Sequence, residues 1–528
     1  MNIRAMPFSG GSGRKPLLAF VFVAFAAVMA YELAGYVINN DVFGLAYTGL
    51  IFVGGAFVIG MLNDWRNGLY FFVTWLLFED FARKFLGNNM AIYFAKDFLV
   101  LVVYIAYFIA YRRREVQSFR PPFLLPLLML VWFGGMQVFN PGSSHIMFGL
   151  LGFKLFFYYI PLMFVGYSLL ENEEQLRKFF FVNMGLAAII VSLGVAQSII
   201  GPTFLNPAHL ADDIRELSTL YRTAPISGIT VYRPTSVFVS TGRYSDFLIV
   251  AWMLVFGFSG YLLLRRRQGR SLAFVCMALT FAGVVLCASR GVFMWTGITA
   301  VVGSIAFIWG APWRQREVMR VLRTVQRAAL GMALGMAALF FTFPDALLGR
   351  LALYSETLSP YSAASELTHR GRDYPIQNFL GAFDYPRWPY GYGIGTTSLG
   401  VQYVSRFFHE KLTIGSVESG YGALVVEMGI GGLILWIIMT FSILFSAWRV
   451  VRKLRGSPWF PLAFIIMWYA FILLFPMTFG GIQAYEDFIL NAYLWLLLGI
   501  LFRLPTIALS SQFAAEATGA AAQRRWVR

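Results

Sequence analysis

Long apolar stretches recur along the chain with short charged breaks between them. Many approach the roughly 20 residues that carry a helix across about 30 Å of hydrocarbon. A sliding window predicts fourteen spans, at 16–38, 43–62, 68–86, 97–111, 122–139, 146–170, 179–200, 247–264, 271–288, 291–310, 328–344, 418–448, 458–477 and 487–502. The third and fourth are the least apolar, because Glu79, Asp80, Arg83, Lys84, Lys96 and Asp97 crowd their ends. Loss of either would reverse the orientation of everything downstream. The expected fold is therefore all-α and polytopic, with twelve to fourteen transmembrane helices.

Composition supports this pattern. Hydrophobic residues make up 58% of the chain and the mean hydropathy is +0.66, more apolar surface than a soluble core needs. The excess must face lipid. Basic loops resist translocation, so the distribution of Lys and Arg sets the orientation. With both termini cytoplasmic, 27 of the 42 basic residues and only 7 of the 26 acidic ones fall on the cytoplasmic side. The net charge of +16 is thus spread over short cytoplasmic loops, which argues for membrane topology and against nucleic acid as the partner. The layout is a cytoplasmic N-terminus at 1–15, one transmembrane domain at 16–503 and a cytoplasmic tail at 504–528, expected to be disordered beyond Ser510. The first stretch is long enough to be an anchor and is not followed by a clear cleavage site. The only cysteines, Cys276 and Cys287, both fall in the ninth span, as lipid-facing or packing residues.

Two breaks, 201–246 and 344–417, are too long for simple turns, and the charge count puts both on the external face. All four histidines, His145, His209, His369 and His409, lie on that side. So do Arg215, Arg222, Arg233, Arg243, Arg350, Arg370, Arg372, Arg387 and Arg406. External arginines run against the positive-inside rule, and an anionic ligand is one reason to keep them.

Three stretches carry candidate chemistry. In Tyr232-Arg233-Pro234-Thr235-Ser236-Val237-Phe238, followed by Gly242-Arg243-Tyr244, two guanidinium groups at a membrane surface can fork onto a lipid diphosphate. Pairing with acids such as Asp212 or Asp246 is the plainer alternative. Ser289-Arg290-Gly291 forms the turn between the ninth and tenth spans. A tight turn explains Gly291 but not Arg290, which must meet an anion or snorkel to head groups. The third comprises Gly391-Tyr392-Gly393-Ile394-Gly395, then Gly415-Ser416-Val417-Glu418-Ser419-Gly420-Tyr421, then Glu427-Met428-Gly429-Ile430-Gly431-Gly432. Gly393 and Gly395 can bring backbone N–H groups close to a ligand. Glu418 stands where a long external loop meets a span, as a proton acceptor or as a charge that complements the helix dipole. Trp388, Tyr390, Tyr392 and Tyr403 are aromatic residues able to stack on sugars, although interfacial aromatics need no ligand.

In order and spacing these stretches, over roughly 130–440, resemble the superfamily of O-antigen ligases and Wzy-type polysaccharide polymerases. The resemblance implies a membrane glycosyltransferase fold of the GT-C type. It implies transfer of a glycan from undecaprenyl diphosphate on the periplasmic face of the bacterial inner membrane, without metal or other cofactor. Arg233 and Arg290 would hold the diphosphate, helped by Arg243, with Arg370 and Arg372 as further substrate-binding residues. Glu418 takes the place where the ligases commonly have His, which favours polymerisation of repeat units over ligation to lipid A core, and leaves His369 or His409 as alternative bases. The implied partners are the undecaprenyl-diphosphate-linked oligosaccharide, a growing polysaccharide acceptor, membrane lipid and a chain-length regulator or export complex. A secondary transporter is the rival of another class, and Lys154 in the sixth span is the clearest intramembrane charge available to it. A structural subunit of an export complex would leave the external arginines unexplained.

Overall fold

A computed structural model of the chain describes residues 54–87, 89–207, 220–265, 268–310, 340–358, 372–398 and 417–526, with isolated positions between them. The predicted first and eleventh spans lie largely outside the described residues, as do His209, Asp212, Arg215, His369, Arg370, Tyr403, Arg406 and His409.

The described chain is mostly helical. In order come α1 (Gly54–Asn63), α2 (Trp65–Leu86), α3 (Met90–Arg112), α4 (Leu124–Gln137), α5 (Ile146–Phe157), α6 (Leu162–Leu169) and α7 (Glu173–Ile200). A hairpin of β1 (Tyr221–Thr223) and β2 (Thr230–Tyr232) follows, then α8 (Thr241–Arg265), α9 (Arg270–Leu286), α10 (Arg290–Gly310), α11 (Pro344–Leu358) and α12 (Tyr374–Gly381). The chain closes with α13 (Gly420–Lys453), α14 (Phe460–Ile472) and α15 (Phe488–Trp526). Among the described residues, 8 helices are long and apolar enough to cross a membrane, with α5 and α6 serving as one of them. Helices α1, α4 and α9 are shorter and apolar. The chain is a multi-pass helical membrane protein. Trp132, Phe139, Ile305, Ile308 and Phe441 point outward, as lipid-facing side chains do, whereas α8 is buried along most of its length.

Several details differ from the pattern read in the sequence. The fold is all-α apart from one short hairpin, in which β1 pairs antiparallel with β2, with Tyr221 opposite Tyr232. The hairpin is too short to leave a period-two signal. The tail is not irregular after Ser510, since α15 continues through Pro505 to Trp526. Finally, α2 is absent from the 8 long apolar helices, although it is helical over 22 residues and capped by Asp64. Its second half carries buried charge. Both cysteines are buried, so they pack rather than face lipid.

Small residues let the helices touch backbone to backbone. A Cβ at Gly166 would meet the Leu496 carbonyl oxygen at 2.3 Å, and one at Gly499 would meet that of Met163 at 2.1 Å. This double contact seats α6 on α15, a close approach that lipid-embedded helices exploit because packing replaces the hydrophobic effect there. Helix α13 is interrupted at Gly429, whose φ is +72°. The chain around Trp388–Gly393 fills the break: Tyr392 N–H donates to Val426 O (2.8 Å), Gly393 N–H to Glu427 O (2.9 Å) and Ile430 N–H to Trp388 O (3.2 Å). Backbone freed inside the membrane region is thereby satisfied by protein, as a dry environment demands.

Gly499→Ala should lower stability by about 1–3 kcal/mol through overpacking. Gly185→Ala, with nothing within 4 Å of its new methyl, should not. Melting temperatures in one detergent distinguish the two.

Candidate functional site

On α2, Glu79, Asp80, Arg83 and Lys84 lie one turn apart and all are at most 2% exposed. A charge at that depth needs a partner, because removing it from water costs several kcal/mol. Lys96 at the start of α3 bonds Glu79 at 3.1 Å, and Arg83 reaches Asp80 Oδ1 at 3.1 Å. From α8, Arg243 Nη1 lies 2.7 Å from each oxygen of Asp80, with its guanidinium 4.7 Å from the Phe488 ring centroid. Lys154 pairs with Asp97 beside this group.

The same face of α2 holds the loop before α8. Lys84 Nζ donates to Thr235 Oγ1 (2.8 Å) and to Ser236 O (2.7 Å). Asp80 Oδ2 accepts from Val239 N–H at 3.3 Å. From α7, Gln197 Oε1 accepts from the amides of Thr235 (2.9 Å) and Ser236 (2.7 Å). Ser236 has φ +51°, an unusual value for a residue with a side chain, which these bonds hold in place. On the other side of Pro234, Arg233 N–H donates to Leu220 O at 2.7 Å.

Arg233 then faces a site assembled from three separate segments. Ala224 and Val231 of the hairpin, Ala288 of the turn before α10 and Leu353 of α11 form one small buried cluster. Tyr354 of α11 stacks on Phe293 of α10 with centroids 4.3 Å apart, and its hydroxyl donates to Val285 O at 3.0 Å. Arg233 lies within electrostatic reach of Cys287 and Tyr354, and burial lowers its pKa from the usual arginine value. Arg290 opens α10 three residues after Cys287, within electrostatic reach of Glu356. Glu356 also accepts from the amides of Ile226 (2.8 Å) and Ser227 (3.1 Å), tying the hairpin turn to α11. Those bonds, led by the Ser227 side chain, hold its carboxyl below the ordinary range. Arg350, 3% exposed, donates to Leu286 O and Tyr232 O at 2.8 Å each, so it fastens the end of α9 to β2.

The third stretch is mostly architecture. Ser419 caps α13 by accepting from Gly422 N–H (3.3 Å) and donates to Phe479 O (3.2 Å). Gly420 is required because a Cβ there would meet Thr478 O at 1.9 Å. Tyr421 donates to Leu474 O at 3.2 Å, near the bend at Pro476. Glu418 is left exposed at the start of the helix. Glu427 is fully buried, and its carboxylate accepts from Gly395 N–H (2.9 Å), Thr397 N–H (2.8 Å) and Thr397 Oγ1 (2.7 Å). The expectation that Gly393 and Gly395 offer their amides to a ligand is therefore corrected: α13 uses both.

The sequence-predicted residues thus divide. Arg233 and Arg290 border the same region, Arg233 within electrostatic reach of Cys287 and Tyr354 and Arg290 within reach of Glu356. Arg243 does not join them, because its guanidinium is committed to Asp80; the diphosphate-holding role expected for it is corrected to a structural one. Arg372 is exposed and pairs with neighbouring Asp373 at 2.7 Å. His145 caps α5, its Nδ1 accepting from Met147 N–H at 3.1 Å. The turn before α10 needs no glycine at 291; Ala288 adopts φ +51° instead, and Gly291 faces open space. Of the described aromatics, Trp388 packs on Phe383, Tyr392 packs on Tyr385, and Tyr390 is 77% exposed. Sequence reasoning missed Asp80, Lys84, Gln197 and Glu356. The signal for the first two was visible as charges at helical spacing within an apolar window.

No known protein-family model and no curated protein matches the chain.

Asp80→Ala strands Arg83 and Arg243 without their carboxylate, and should cost about 3–5 kcal/mol of stability. A melting temperature equal to that of the wild type would contradict the pairing.

Proposed function

We propose that the chain is a membrane glycosyltransferase of the O-antigen polymerase type, joining undecaprenyl-diphosphate-linked oligosaccharide repeat units at the external face of the inner membrane. The observation that supports this reading is that Arg233, within electrostatic reach of Cys287 and Tyr354, and Arg290, within reach of Glu356, border one region where the hairpin, the start of α10 and α11 pack together. Arginines are suited to phosphate oxygens because the planar fork is always charged and donates in pairs. Two of them, held on different elements, suit a diphosphate better than a single anion.

In this scheme the acceptor sugar hydroxyl attacks the anomeric carbon of the lipid-linked glycan and inverts it, while the bond to the diphosphate oxygen breaks. Arg233 and Arg290 stabilise the charge gathering on the departing diphosphate. Orientation of the two sugars and that charge stabilisation supply most of the rate, since diphosphate is already a good leaving group. The hydroxyl proton passes to a base; Glu418, exposed at the start of α13, is the described residue we assign to it. His369 and His409 are the alternatives and lie outside the described residues.

A transporter has less support. The broken helix α13 could have held a solute, but its freed amides and carbonyls are occupied by the chain's own glycine-rich loop. Lys154, the charge most available for transport, is neutralised by Asp97.

The test is purified protein in lipid, with chelator, given a lipid-linked oligosaccharide pool from the source cells and read as product length on a gel. Wild type should give a ladder of multiplied repeats. Arg290→Ala and Arg233→Ala should each slow it by about 100- to 1000-fold while remaining folded. Full polymer from both variants would end the reading, and transfer only onto lipid A core would make the protein a ligase.

A further inference from the structure

The buried charges at the end of α2 serve no step of the transfer just described, yet they grip the segment that carries Arg233. We infer that Lys84 is a positioning residue for the diphosphate-binding arginine: its ammonium clamps the Thr235–Ser236 corner and so fixes the direction in which Arg233 points. This rests on the reading of Arg233 as a diphosphate ligand.

The geometry is that of a short stiff lever with its pivot locked. Lys84 is 1% exposed, and its Nζ spends its bonds on Thr235 Oγ1 (2.8 Å) and Ser236 O (2.7 Å). Among the described residues no carboxylate lies within ion-pair distance of it; Asp80, one turn back, acts on it only electrostatically, and its direct partners are the neutral oxygens of one corner. An apolar residue of similar length would fill the space without the desolvation cost, so burial of the charge calls for a use. That corner has no freedom left: Gln197 accepts both of its amides, and the Ser236 hydroxyl donates to Ile190 O at 2.6 Å. Pro234 links it to Arg233. Its ring fixes its own φ and confines the preceding residue to extended backbone. Arg233 N–H is bonded to Leu220 O on the far side. A change in the Thr235–Ser236 corner is therefore passed to Arg233 with little slack, and the two-point hold on a diphosphate with Arg290 depends on that alignment.

The experiment titrates wild type and variants in nanodiscs with undecaprenyl diphosphate and with undecaprenyl monophosphate, and records melting temperatures alongside. Wild type should prefer the diphosphate, and Arg233→Ala should lose that preference. Lys84→Met, which keeps the stem and drops the ammonium, should weaken diphosphate binding by about tenfold, the worth of one charge-assisted hydrogen bond. Monophosphate binding should change much less, so that the preference itself falls. A purely structural lysine would lower the melting temperature and leave the preference intact in the folded fraction, which would overturn the inference. If Lys84→Met does not fold, Thr235→Val decides the matter by removing one acceptor at constant shape, with the same shift in preference expected. A wild-type preference in that variant overturns the inference while Arg233→Ala still upholds the broader reading. No diphosphate binding by wild type overturns both.

Discussion

The region around the end of α2 depends on a set of charges buried where a membrane protein can least tolerate them unpaired. Asp80 is shared between Arg83 on its own helix and Arg243 on α8, and the same carboxylate receives the Val239 amide. In a medium of low dielectric such a group cannot be left half-satisfied, so the loop between Thr235 and Arg243 has one place to lie. From that placement the rest follows: Arg233 projects beyond Pro234, the hairpin is set by the Arg233–Leu220 bond, and α11 is drawn in by Glu356 and Arg350.

One residue type serves two purposes on this face, and environment separates them. Arg243 and Arg350 are held by described protein oxygens at 2.7–2.8 Å, and each joins two elements that would otherwise meet only through loops. Arg233 and Arg290 stand where the hairpin, the α10 start and α11 meet. The carboxylates divide in the same way: Glu427 is buried and holds the Gly395–Thr397 turn against α13, while Glu418, nine residues earlier, remains exposed. The dehydrated carboxylate of this stretch is therefore structural, and the accessible one is the better placed to accept a proton.

Most of the helices were legible because the bilayer imposes a length and an apolar composition that survive in sequence. The two long breaks stood out as interruptions of that pattern, and Arg233 and Arg290 as charges beside apolar stretches. What could not be read was partnership. Whether Arg243 meets a phosphate or Asp80 depends on how α2 packs against α8, and nothing in either sequence encodes the contact. The glycine-rich run misled for a related reason: its amides are as available to Glu427 as to a ligand, and only the break at Gly429 brings that carboxylate within reach. The charges of α2 read only as a weakness in a predicted span, whereas they bracket the loop from Thr235 to Val239.

The central claim is that Arg233 and Arg290 act on one ligand. The most direct measurement is a double-mutant cycle on transfer rate, with Arg233→Ala, Arg290→Ala and the pair combined, each confirmed folded. If both arginines hold the same diphosphate, the double variant is little slower than either single one, because losing one arm already forfeits the two-point hold. If the two losses multiply, the arginines work at independent places and the shared site is wrong.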